Sequence, residues 1–152
     1  MRIVVPIAAL LVLAVTIIPA HASSPDATPA DQETIDALEA KAVQAQPREQ
    51  CFLYAEIVHQ MTELSIRQYA AGDVGKATGL LKQIQQFAQK IHFGLGDNDK
   101  RLKNSEMLLS HTAFRLHEML HVSNMEDRPL VEETLSQVNQ AQNATMMQVF
   151  QK

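Results

Sequence analysis

A single cysteine, Cys51, stands in the 152-residue chain. An internal disulfide needs a pair, so no disulfide framework holds this protein together. A C-x-x-C-H haem attachment motif is excluded for the same reason. Nor is there any strand-like alternation of apolar and polar residues over four or more positions, which removes the usual signal for a sheet. The chain carries no phosphate-binding glycine loop, no dinucleotide fingerprint and no serine or cysteine nucleophile motif. Basic charge is not in excess, and a nucleic-acid partner requires a basic face to displace counterions. The segment nearest to such a patch, Lys100-Arg101-Leu102-Lys103, reads as the solvated side of a helix.

What is present begins with residues 1–22, MRIVVPIAALLVLAVTIIPAHA. Arg2 supplies a positive start, Ile3 to Ile18 an apolar run, and Pro19 a break before Ala20-His21-Ala22. Small residues at −3 and −1 suit a signal peptidase, so residues 1–22 are expected to be a signal peptide cleaved before Ser23. An uncleaved anchor is the rival, because the run approaches the roughly 18 residues of a spanning helix. Pro6, Pro19 and the A-x-A site favour cleavage, and no membrane span is expected afterwards. With Arg2 removed, 12 basic residues face 17 acidic ones, a formal net of −5. The protein is expected to be exported, to a periplasm or the extracellular space. There the unpaired Cys51, flanked by Phe52, Leu53, Tyr54 and Ala55, is either a buried small hydrophobe or a thiol linking two chains into a homodimer.

Residues 23–30, SSPDATPA, are small and polar with two prolines and read as a disordered tether. Residues 31–152 then read as one all-α domain. A leading helix is expected from Asp31 to Gln46, with Ile35, Leu38, Ala42 and Val43 on one face. Pro47 suits the first turn of a second helix reaching about Ala71, in which Cys51, Tyr54, Val58, Met61 and Leu64 recur at spacings of three and four. Gly72 reverses the chain, and Asp73 is expected to cap a third helix. That helix has the clearest stripe: Val74, Ala77, Leu80, Leu81, Ile84, Phe87, Ala88 and Ile91. Gly94 and Gly96 end it, and Asp97-Asn98-Asp99 offers caps for a fourth helix with Leu102, Leu109, Ala113, Leu116 and Leu120 inward. Ser123 and Asn124 break that helix. Asp127 and Pro129 start a fifth, with Val131, Leu135, Val138, Thr145 and Val149 inward. Long helices joined by short connections predict an antiparallel, up-down-up-down four-helix bundle with the first helix as an appendage.

One motif points to chemistry. His117-Glu118-Met119-Leu120-His121 matches H-E-x-x-H, in which two histidines one helical turn apart bind zinc and the glutamate activates a metal-bound water. Here the context opposes a peptidase. If Leu109, Leu116 and Leu120 mark the core, His117 lies about 80° and His121 about 120° off that direction, with Glu118 about 180° away. No strand edge is available to present a peptide, and no third ligand stands out. A non-catalytic metal site is the milder alternative: His117, His121 and Met125 repeat every four residues, and histidine with thioether suits copper. The ordinary structural reading is two partly exposed histidines beside Met107 and Phe114. His59 and His92 sit on different helices and could face inward, so haem ligation by His59 is chemically conceivable. The pair Glu56-x-x-His59 of a di-iron bundle occurs only once. Asn143-Ala144-Thr145 fits a glycosylation sequon but falls inside a helix.

Four segments resemble a group of exported, all-helical proteins from Acidobacteria: CFLYAEIVHQMTE (51–63), RQYAAGD (67–73), DKRLKNSEMLL (99–109) and EDRPLVEETLSQV (126–138). The resemblance spans most of residues 23–152 and implies a bacterial exported protein. No activity attaches to the group, so it assigns no functional residue here. The sequence therefore favours a non-catalytic binding or scaffold protein, its partner a protein or small ligand. Metal or haem binding and zinc peptidase activity are the two alternatives, from different classes.

Overall fold

The computed structural model describes residues 30–96 and 99–151, in which five α-helices and no strand occur. They are α1 (Gln32–Gln44), α2 (Pro47–Ala70), α3 (Val74–Gly94), α4 (Leu102–Val122) and α5 (Arg128–Phe150). The expected signal peptide and nearly all of the expected tether lie outside the described residues. Ala30, assigned to the tether from sequence, is instead buried at the edge of the core. No helix among the described residues is long and apolar enough to cross a membrane.

Local chemistry sets the helix ends. Asp31 caps α1, its carboxylate accepting the Thr34 N–H at 2.7 Å. Pro47 occupies the first turn of α2, where a missing N–H costs nothing. That helix closes on Gly72, whose φ of 86° only glycine adopts without strain. The Gly72 N–H reaches the Tyr69 carbonyl and the Asp73 N–H that of Gln68, the paired bonds of a Schellman stop. Two expected caps are corrected. Asp73 makes no side-chain cap bond to α3 and pairs with Lys76 instead. Asp99 does not cap α4; it accepts the Gly96 N–H, and α4 starts after Arg101, which holds φ 60°.

Helix pairing departs from simple succession. The packed pairs are α1 with α2, α2 with α3, α4 with α5, α2 with α4, and α3 with α5; α3 and α4 do not pack together. Neighbours in sequence are thus not always neighbours in space, which corrects the expectation that each short connection joins antiparallel partners. Ser65 bonds Ala77 while Tyr54 stacks near Phe87, so α2 and α3 are antiparallel. Between α2 and α4 the partners rise together: Glu49 with Lys100, His59 with Thr112, Glu63 with Arg115 and Tyr69 with Asn124. These two helices run parallel.

The cause is the connection after α3. It returns over the start of α2, where the Lys100 N–H donates to the Arg48 carbonyl at 2.8 Å and the Arg101 guanidinium lies 3.5 Å from the Phe52 ring centroid. At the other end, the Tyr69 hydroxyl donates to Asp127 and accepts the Asn124 N–H, fastening the α4–α5 turn to the end of α2.

Ile57, Met61, Leu81, Ile84, Leu109, Leu116, Met119, Val131 and Val138 fill the interior. The inward side shifts on two helices. Val43 is 82% exposed, so the core side of α1 is Ile35 and Ala42. In α4, Met119 is buried and Leu120 only partly so. Buried Thr62, Thr112, Thr134 and Thr145 turn their hydroxyls back to the carbonyls four residues earlier, which lets a polar side chain enter the core satisfied.

Candidate functional site

Because α2 and α4 run parallel, their facing turns bring together groups more than fifty positions apart. His59, half-buried on α2, lies 3.1 Å through Nδ1 from Thr112 Oγ1. The Thr112 hydroxyl proton is committed to the Leu108 carbonyl at 2.8 Å, so its oxygen must accept from His59. Neutral His59 therefore carries its proton on Nδ1 and leaves the Nε2 lone pair free. Burial holds His59 below the usual imidazole range; the Glu63 carboxylate opposes this, while His111 and Arg115 reinforce it. The His111 ring, exposed on α4, sits 5.1 Å from that of His59, centroid to centroid.

One turn further along, Arg115 grips Glu63 through both Nε (2.7 Å) and Nη2 (3.1 Å), and its Nη1 holds Glu118. Burial alone would raise the Glu63 carboxyl; the Arg115 hydrogen bonds and charge outweigh it and hold it below its ordinary value. Before this seam runs an open groove of about 460 Å³, lined by Phe52, Glu56, Asn104, Met107, Leu108 and His111. Desolvation raises the Glu56 carboxyl there, with Lys41 and Arg101 pulling the other way.

The H-E-x-x-H residues lie on the outer side of α4. His117 and His121 are exposed, their rings edge to face with centroids 5.0 Å apart. Glu118 is also exposed, its carboxylate engaged by Arg115 rather than free to take a proton from water. Among the described residues no third histidine, cysteine or carboxylate converges on the two rings. Met125 stands beyond the end of α4 and is 89% exposed. His59 adjoins polar groups, His111 and the Glu63–Arg115 pair, rather than the enclosed apolar slot a haem requires. His92 shares neither arrangement; its ring packs edge-on to Phe93 with Nδ1 buried and unpartnered.

Cys51 is buried, and burial pushes its thiol up to about 11. Thiolate chemistry and cross-linking through this residue are thereby disfavoured. The association of His59 with His111 went unseen in the sequence, because it depends on which helices are neighbours.

A second feature of α4 is apolar. On the side opposite its buried residues stand Met107 (60% exposed), Phe114 (58%), Val122 (70%) and Met125, which follows the last turn. Of the exposed residues of α4, just Lys103 and Glu118 carry a full charge, and the latter is paired with Arg115. An outward helix face ordinarily carries most of a helix's charge.

Compared with protein-family models, curated proteins and solved structures, the chain matches none of them.

Proposed function

We propose that this protein is an exported, non-catalytic four-helix bundle, with α1 as an appendage, that works by docking another protein on the outward face of α4. The signal-peptide pattern of residues 1–22 supports export. The observation that carries the docking role is the row Met107, Phe114, Val122 and Met125, exposed together where charge is expected. Such surface costs solubility unless something covers it, and clustered apolar side chains rimmed by polar ones mark protein interfaces. Ser110, His111, His117 and His121 supply that rim.

The engagement of Glu118 by Arg115 supports the non-catalytic half of the reading. A zinc peptidase needs that carboxylate as its general base.

Site-specific photo-crosslinking in the cell tests the proposal. A photoreactive residue at Phe114 should give one discrete adduct, and the same residue at Glu132, exposed on α5, should give none. An adduct of twice the chain mass would identify a second copy as the partner. No adduct at position 114, or equal adducts at both positions, would overturn the reading.

A further inference from the structure

The seam between α2 and α4 holds a second feature, which shares Met107 and His111 with the edge of the docking face. His59 and His111 come from different helices, and their ring centroids lie 5.1 Å apart. Two imidazoles sharing one metal ion at about 2.0–2.1 Å, at a roughly tetrahedral angle, place their centroids about 5 Å apart. The tautomer is already the one a ligand needs. Metal-binding histidines characteristically donate the other ring N–H to a fixed acceptor, which orients the ring and raises its basicity. Thr112 fills that role for His59, itself locked by Leu108. Met107 lies one helical turn before His111 on α4, and the two line one groove. A thioether beside imidazoles favours a soft ion, above all Cu(I), whereas two imidazoles alone accept Cu(II) or Zn(II) as well.

We propose that His59 through Nε2, His111 through a ring nitrogen and Met107 through its sulfur form a copper site at the α2–α4 seam. The open groove gives the ion its route in, and His111 and Met107 are both exposed to meet it. The His117–His121 pair is a separate, purely local chelate, without a comparable hydrogen-bonded support from another helix among the described residues.

The test is a titration of the purified, untagged protein with Cu(I) against a chromophoric chelator, and with Zn(II) in parallel. One equivalent of Cu(I) should be taken from the chelator. His111→Ala should weaken Cu(I) binding at least tenfold, and since His111 is exposed the helical circular dichroism should be unchanged. His59→Ala should do the same. Met107→Leu should weaken Cu(I) at least tenfold and leave Zn(II) unaltered. His117→Ala with His121→Ala should leave Cu(I) affinity intact. The proposal is overturned if no Cu(I) is taken, if His59→Ala with His111→Ala retains it, or if the His117, His121 variant loses it.

Discussion

His59 of α2 donates its Nδ1 proton to the hydroxyl of Thr112 on α4, across 53 positions of sequence, at 3.1 Å. That bond exists because α2 and α4 lie side by side in the same direction, and the burial that comes with it disfavours the charged form of the imidazole. The relationship has a measurable thermodynamic consequence.

Below its ordinary pKa of about 6.5 the unfolded chain takes a proton on His59 before the folded one does. The stability contribution is therefore complete above that pH and is lost as pH falls toward the depressed folded value. Urea midpoints of metal-free protein, recorded with a chelator present, should decrease from pH 7 to pH 5.5. In His59→Gln, which keeps a donor for Thr112, the decrease over that window should be smaller. An unaltered slope would contradict the assignment.

The Glu63–Arg115 pair acts in a lower window. Its carboxylate is depressed in the fold, so its contribution is present above the unfolded value near 4.3 and disappears as pH falls through the folded one. Arg115→Met should cost about 1–2 kcal/mol at pH 7, as expected for a half-buried, bidentate ion pair. The cost should shrink below pH 4, read by chemical denaturation at each pH.

Cys51 should be inert. With its thiol pushed up to about 11 and the side chain buried, a thiol reagent at pH 8 should label the folded protein only at the rate of unfolding. Denaturant should expose one reactive thiol per chain. Non-reducing electrophoresis should show no disulfide-linked pair; rapid native labelling would contradict the burial.

Two apolar residues should behave oppositely. Ile84 is fully buried and Val43 is 82% exposed. Ile84→Ala should cost about 2–5 kcal/mol, and Val43→Ala should change stability by no more than about 0.5 kcal/mol. Thermal or urea unfolding of the two variants settles the comparison.

Much of this was legible where the causes are local. Pro47 and Gly72 marked the limits of α2 by backbone rules alone, and the stripe from Ala77 to Ile91 identified the inward side of α3. The His117–His121 pair was equally readable, because one helical turn fixes it. Pairing order was not, since the returning connection is held by Lys100 on Arg48 and Arg101 on Phe52, contacts with no local signature. The His59–His111 meeting followed that unread order. Thr145 was placed inward, but the burial of Thr62, Thr112 and Thr134 was missed for another reason: a hydroxyl that bonds its own helix loses its polar cost, so Thr112 counts as core although hydropathy marks it neutral. On α4 the apolar residues outside the inward stripe, Met107, Phe114 and Val122, belong to the outer face on which the functional proposal rests.

The most direct measurement is the size of the protein released gently from its native cells, compared with that of Phe114→Glu with Met125→Glu. Neither side chain is buried, so the variant should fold and melt as the wild type does. The wild type should elute well above the mass of a single chain and the variant as a monomer. Wild type eluting as a monomer, or both proteins eluting in the same larger complex, would contradict docking through α4.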